Sequence, residues 1–229
     1  MHRFMPTPTA ALHQCRLFRD LDASAMQRLL ADSRALSVKR GDVICRKGLP
    51  CTDLHVVIDG QVKLCVETPQ GEEHVIDLLG GGDAVGEVAV VTHRPQLTSA
   101  IAITTTTLIQ IPAKTLLAEF ERNPRLCWNA VQMLATLAGA QVNDLENLLF
   151  RKADGRVARY LIDLFGSASR KPGQVVRLPA RKGLIASRLH MTKEHFSRTL
   201  RELSERGVVA VRHLDIEILD RAALERIAA

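Results

Sequence analysis

Glu194, Ser197 and Arg198 stand at i, i+3 and i+4, with Lys193 beside them and Thr192 just before. On a helix that spacing gathers a carboxylate, a hydroxyl and a guanidinium on one face. Each has a partner among DNA base edges: the Arg fork fits guanine O6/N7, Glu accepts from cytosine N4, and Ser reaches thymine. Phe196, Leu200 and Leu203 follow at i, i+4 and i+7 and define a separate, core-facing side. The same polar face would also serve as a solvated surface closed by a Glu194–Arg198 ion pair. Charge distribution separates the two readings. Residues 1–150 hold 14 Lys/Arg against 16 Asp/Glu, whereas residues 151–229 hold 17 against 9. All the positive excess of this +6 chain lies in its last third, as a polyanion-binding module requires.

The elements around this segment are those that would present it to a groove. Residues 182–189 read as a helix and His190-Met191 as a tight connection. Thr192 then caps a second helix that runs to about Arg206 and stops at Gly207. A hairpin-like pair of strands, 208–211 and 216–219, follows; a short strand, VVRLP, comes before, after a break at FGSASRKPGQ. Two helices on so short a turn, with a hairpin behind them, make a winged helix-turn-helix. A helix bearing Val157, Tyr160, Leu161 and Leu164 opens this basic third.

Upstream, Pro124 suits the first turn of a long helix, and residues 125–150 contain no proline and a single glycine, Gly139. Val131, Leu134, Ala138, Gln141, Leu145 and Leu148 keep a 3-4 spacing along it. That is the seam of a two-stranded coiled coil, or the stripe by which one helix packs on its own domain. Residues 12–33 carry helical spacing, with Asp22 or Ser24 as a cap, and residues 112–120 are again helical. Between them, residues 36–111 break into short β-rich runs with Gly at the breaks, the texture of an antiparallel roll or barrel. The expected fold is therefore α+β: helices and an antiparallel β-roll over 1–120, a long helix, dimerising if its seam is a coiled coil, over 121–150, and a winged helix-turn-helix DNA-binding domain over 151–229.

Composition limits what else the chain can be. At 229 residues and 46% apolar it has enough material for a real core, and no apolar run approaches the roughly 18 residues a membrane span needs. The start, MHRFMPTPTAALHQC, lacks the basic-then-apolar build of an export signal, which points to the cytoplasm. Five cysteines at 15, 45, 51, 65 and 127 form no disulfide framework and read as free thiols, with Cys45 and Cys51 open as a redox pair. A cupin-type ligand-binding or enzymatic roll would need clustered His/Glu metal ligands; His74 with Glu72 or Glu73 is the nearest approach, and there is no His-x-His.

Roll, long helix and winged helix-turn-helix in this order resemble the CRP/FNR family of bacterial transcription regulators over nearly the whole chain. The roll carries Gly41-Asp42, Gly48, Gly60 and Gly82-Asp83-Ala84-Val85-Gly86-Glu87, and the DNA-reading segment matches the Glu-x-x-Ser-Arg signature. The resemblance implies a non-enzymatic homodimer that reads TTGAT-N4-ATCAA-like palindromes. It implies control by a small effector where the roll meets the long helix, and contact with RNA polymerase if the regulator activates. Members that bind a cyclic nucleotide place Gly-Glu at one end of the pocket and an Arg pair about ten residues on, because a buried phosphate needs a fixed cation. Here Gly86-Glu87 are followed by Leu97-Thr98, so cyclic AMP is not expected and Glu87 is left a structural hydrogen-bonding role.

Iron–sulfur members cluster cysteines near the N-terminus; only Cys15 precedes Cys45 here, so no cluster is expected. What remains is similar to the Dnr subgroup, haem-dependent and nitric-oxide-responsive. It shares Leu17-Phe18, Glu194-x-Phe196-Ser197-Arg198 and Ile216-x-Ile218-Leu219-Asp220-Arg221. Haem is the implied cofactor, with His13 and Cys15 as candidate ligands and His55, His74 and His93 as further candidates in the roll. A thiol-redox or organic-metabolite sensor of the same family is the alternative.

Overall fold

The computed structural model describes residues 8–166 and 174–228; most of the break read at 165–174 lies outside them. Helix α1 (Pro8–Gln14), a 3-10 turn at Arg16–Phe18 and α2 (Ala23–Ala31) lead into the strands. Asp22, not Ser24, caps α2: its carboxylate accepts from the Ala25 N–H at 2.7 Å, and the Ser24 hydroxyl donates to it. Eight strands follow: β1 (Arg34–Val38), β2 (Val43–Cys45), β3 (Asp53–Asp59), β4 (Val62–Glu67), β5 (Glu73–Leu79), β6 (Ala84–Val85), β7 (Ser99–Ala102) and β8 (Thr106–Pro112). The short helix α3 (Glu87–Thr92) interrupts them before β7. They pair antiparallel in two four-stranded sheets, ordered β1-β8-β3-β6 and β2-β7-β4-β5, the roll expected from the turn-punctuated sequence.

Side-chain alternation along β3 and β8 divides the core into two layers. Leu54, Val56, Ile109 and Ile111 face the helices and pack with Leu12, Phe18, Met26, Leu29 and Leu116. Val57 and Leu108 face the other way, into the roll, against Val62, Val85 and Ala100 from the remaining strands. His55 and Gln110 are paired in register and share the parity of Val57 and Leu108, so they too belong to the roll's interior side.

Helix α4 (Ala113–Arg122) closes the roll, and α5 (Pro124–Phe150) follows. Glu119 of α4, 3% exposed, takes two parallel 2.8 Å hydrogen bonds from Arg28 of α2. That fork holds its carboxyl below the usual glutamate range and fastens helix to helix. Asn129, buried on α5, donates to the carbonyls of Leu17 and Arg19 and so pins the 3-10 turn.

The chain divides into two units, residues 1–138 and 139–229, with the boundary inside α5. The second unit continues with α6 (Ala153–Phe165), β9 (Val175–Arg177), α7 (Lys182–Arg188), α8 (Lys193–Glu205), β10 (Val209–Arg212), β11 (Asp215–Ile218) and α9 (Arg221–Ala228). The strand read at VVRLP pairs with β11, making a three-stranded sheet β10-β11-β9 behind the hairpin. Helix α9, which packs on α6, has no counterpart in the sequence reading. No described helix is long and apolar enough to cross a membrane.

Gly60 shows what the turn between β3 and β4 demands. Its φ is +94°, and a Cβ there would meet the Thr105 carbonyl and the Thr106 hydroxyl, each at 2.6 Å. Gly41 has the same backbone sign, φ +95°, but open space around it. Gly60→Ala is expected to cost about 2–4 kcal/mol in urea unfolding, and Gly41→Ala only about 1, because only the first adds a clash to the backbone penalty.

Candidate functional site

Helix α8 is rotated by its apolar stripe. Phe196, Leu200 and Leu203 are fully buried, as their spacing predicts, and Thr199 is buried with them, its hydroxyl donating to the His195 carbonyl at 3.0 Å. The helix packs on α6, α7 and β10. Lys193, Glu194 and Arg198 are exposed and Ser197 is half-buried, so the four stand together on the face left free. Thr192 accepts from the His195 N–H at 3.1 Å and caps the helix start. The Glu194–Arg198 pair does not form; the Arg198 guanidinium leans loosely on Glu202 at 3.9 Å. A pair this long and exposed yields readily to a better acceptor. Arg201, one turn beyond Arg198 and also exposed, extends the cationic face and was not singled out by the sequence.

The turn before α8 is held from several directions. Leu189 and Met191 donate backbone bonds to Ala186, and His190 adopts a left-handed φ of +54°. Arg156 of α6 donates to the carbonyls of Leu189 and Arg151, each at 3.1 Å. Arg188 of α7 pairs with Asp144 at 3.3 Å. At the hairpin, a two-residue turn at His213-Leu214 with His213 at φ +60° puts exposed Arg212 beside the tip.

Along α5, Val131, Ala138, Gln141, Leu145 and Leu148 are exposed and Leu134 is half-buried. Val142, Leu149 and Phe150, outside the 3-4 spacing, are exposed as well. An exposed run of this apolar character asks for a cover.

The effector candidates differ in burial and in what surrounds them. Gly86 has φ +100°, and a Cβ on it would meet the Cys51 sulfur at 2.8 Å and the Asp53 carbonyl at 3.0 Å, so this glycine is required by its neighbours. Leu97 is 65% exposed and Thr98 half-buried. Glu87 meets its hydrogen-bonding role in part: its own backbone N–H donates to the carboxylate, while Oε2 is sealed from solvent without a partner among the described residues, and burial pushes the carboxyl upward.

Cys15 does not suit the ligand role expected of it. It is 1% exposed among Leu12, Leu17 and Phe18, and burial raises its thiol to about 11, leaving it protonated. His13, His74 and His93 are exposed and apart from one another, while buried His55 is kept neutral by its surroundings. Glu73, one of the two glutamates read beside His74, accepts a hydrogen bond from Lys63 at 2.6 Å. Among the described residues no three His, Cys, Asp or Glu side chains gather to hold a metal ion. Cys45 and Cys51 do meet, on one cavity, but burial pushes Cys45 to about 12 and Cys51 upward too, which suppresses thiolate chemistry. Gln96 lines the same cavity and was missed. Neither its type nor its spacing signals a role; its position comes from backbone bonds to Leu49 and Gly48, far away in sequence.

A β-roll, a long helix and a winged helix-turn-helix with a free polar recognition face define a DNA-binding transcription regulator. A family model for the cyclic nucleotide-binding domain matches residues 35–123, and one for the Crp-like helix-turn-helix domain matches residues 155–227. The chain is 30% identical to the cyclic AMP receptor protein of Thermus thermophilus over 76% of this chain and 79% of the relative. FixK2 from Bradyrhizobium japonicum shares the fold with a TM-score of 0.76 at 19% identity, over 86% of this chain and 98% of that one. DNR from Pseudomonas aeruginosa superposes with a TM-score of 0.52 at 27% identity, over 98% and 99% of the two chains. The chain belongs to the CRP/FNR family of transcription regulators.

The recognition helix should depend on its buried side more than on its cap. Leu200→Ala is expected to cost about 2–5 kcal/mol of unfolding free energy. Thr192→Ala, which removes one capping bond, should cost about 1 kcal/mol. Circular dichroism across a urea titration measures both.

Proposed function

We propose that the chain works as a two-fold dimer joined through α5, reading TTGAT-N4-ATCAA-like palindromes with α8. The observation that carries this is the face of α8: the burial of Phe196, Leu200 and Leu203 leaves Lys193, Glu194, Ser197 and Arg198 as the group free to enter a groove. In that pose Arg198 forks onto the guanine of TTGAT, Glu194 accepts from a cytosine N4, and Thr192 and Lys193 lie near the backbone phosphates. The exposed apolar run of α5 supports the dimer, since a two-fold axis sets two recognition helices about 34 Å apart, one DNA turn. As an activator the dimer would also have to meet RNA polymerase.

The N-terminal unit is proposed to govern this binding through a small effector. Cyclic AMP is not that effector in our reading, because exposed Leu97 stands where a phosphate-holding cation is needed. Haem-bound nitric oxide, which the Dnr likeness suggests, would take its protein ligand from an exposed histidine, His13 first and His74 or His93 after it, since Cys15 is locked in the core. An organic metabolite is the second reading, favoured by a cavity in the roll lined by one buried amide, that of Gln96, whose nitrogen lacks a well-formed hydrogen bond. Haem titrated into the protein separates the two: a saturable Soret shift lost in His13→Ala supports haem, and its absence leaves the metabolite.

Arg198→Ala should weaken binding to a TTGAT-type duplex by about 1–3 kcal/mol per half-site and relax the choice of base at the guanine. Equal losses on matched and mismatched duplexes at fixed salt would reduce Arg198 to a phosphate contact. Replacing both Leu134 and Leu145 by Asp should yield monomers in sedimentation, with DNA affinity lost alongside, because the paired seam would bury like charges. A wild type that sediments as a monomer when bound to the palindrome would overturn the dimer.

A further inference from the structure

The open end of the roll holds a cavity of about 350 Å³, a size at which small-molecule sites begin. One wall is apolar: Val43 and Ile44 of β2, then Leu49 and Pro50 of the following turn. Opposite lie His55 and Gln110, brought side by side by the register of β3 and β8. Gln96 is the outstanding member of the lining. It is 8% exposed, and its side-chain nitrogen is sealed from solvent; the Cys51 sulfur, a weak acceptor, is the neighbour its amide faces, and no well-formed hydrogen bond completes it among the described residues. The residue has little freedom to relieve this. Its N–H donates to the Leu49 carbonyl at 2.9 Å, and its own carbonyl accepts from Gly48 at 2.8 Å. Gly86 closes the rear, where a Cβ would stand 3.2 Å from the Gln96 amide nitrogen. A buried amide with two N–H groups, fixed in place with only a weak sulfur acceptor beside it, marks a site built for an oxygen acceptor that comes from outside.

The chemistry of the lining narrows that acceptor. The Cys45 sulfur lies 3.8 Å from His55 Nδ1, and burial keeps both thiol and imidazole uncharged. The carboxylates near the two thiols, Asp53 and Glu87, push them further toward the protonated form and so repel an anion from the same space. Arg46, the cation on the lining, is exposed at the rim and can remain in water.

We propose that this cavity binds an uncharged organic molecule whose apolar body lies on Val43, Ile44, Leu49 and Pro50 and whose carbonyl or hydroxyl oxygen accepts from Gln96. The site lies within the first unit, and neither exposed Leu97 nor half-buried Thr98 lines it. It deepens the metabolite reading of the effector, and rests on that reading only for its effect on DNA binding.

The test uses the full-length protein and three neutral probes, benzamide, benzyl alcohol and cyclohexanone, with benzoate as the anionic counterpart of the first. Saturable millimolar binding of at least one neutral probe is expected by NMR, with the His55 ring signals moving and benzoate at least tenfold weaker. Gln96→Leu should weaken the bound probe tenfold or more while leaving the urea midpoint unchanged or higher, since it removes a buried amide paired with no more than a weak sulfur acceptor. Arg46→Ala should leave probe affinity unchanged. The proposal falls if no neutral probe saturates, if benzoate binds as well as benzamide, or if Gln96→Leu binds like wild type. It also falls if Gln96→Leu lowers the urea midpoint, which would show Gln96 to be a structural strut. Probe binding that leaves affinity for the TTGAT duplex unmoved keeps the site and counts against the effector reading alone.

Discussion

The burial of one apolar stripe on α8 is the constraint from which the working face of the molecule follows. A helix has no independent means of choosing its rotation; it turns until its apolar side meets the core. With Phe196, Thr199, Leu200 and Leu203 committed to the interior, the directions of Lys193, Glu194 and Arg198 are settled without any contact of their own. Arg156 and the bonds around His190 then decide where the helix starts, and Thr192 decides its first turn. The polar residues that would read a base sequence are the ones that do least for stability, and this leaves them free to vary in identity.

The first unit depends on a different economy. Two strands, β3 and β8, are covered on both faces, by helices outside and by the opposing sheet inside. Their side chains must therefore be apolar nearly throughout. His55 and Gln110 break that rule at matched positions, and the cavity opens there. The Arg28–Glu119 fork and Asn129 bind the outer helices together, so the helical layer and the outer face of the roll form one packed body. In such a body a group like Gln96 can be held with only the Cys51 sulfur to donate to, because its backbone bonds to Leu49 and Gly48 fix its position.

Elements with a strong periodicity were legible in the sequence. The 3.6-residue pattern of α8 gave its buried and exposed faces, and the proline at 124 marked the start of a helix that ends, as read, at Phe150. Glycine breaks located the roll. Features that arise from contacts between distant segments were hidden. Cys15 looks like a metal ligand in a list of residue types, yet three-dimensional packing closes it behind Leu12 and Phe18. Glu87 looks like a hydrogen-bonding residue in its motif, yet only its own backbone N–H serves the carboxylate and Oε2 is buried without a partner among the described residues. Gln96 has no sequence signature at all, since its burial is produced by Leu49 and Gly48. Helix α9 was missed because eight residues at the end of a basic stretch show only two apolar turns, and its packing against α6 supplies the rest.

The chain has a single tryptophan, and it stands on α5: Trp128, 55% exposed. With one tyrosine besides, the near-ultraviolet emission of the whole molecule comes almost entirely from that one indole. Indole fluorescence shifts to shorter wavelength as water leaves its surroundings. The protein thus carries an intrinsic optical gauge on its long helix, and any event that covers or uncovers that surface can be followed in solution, in real time, without a label.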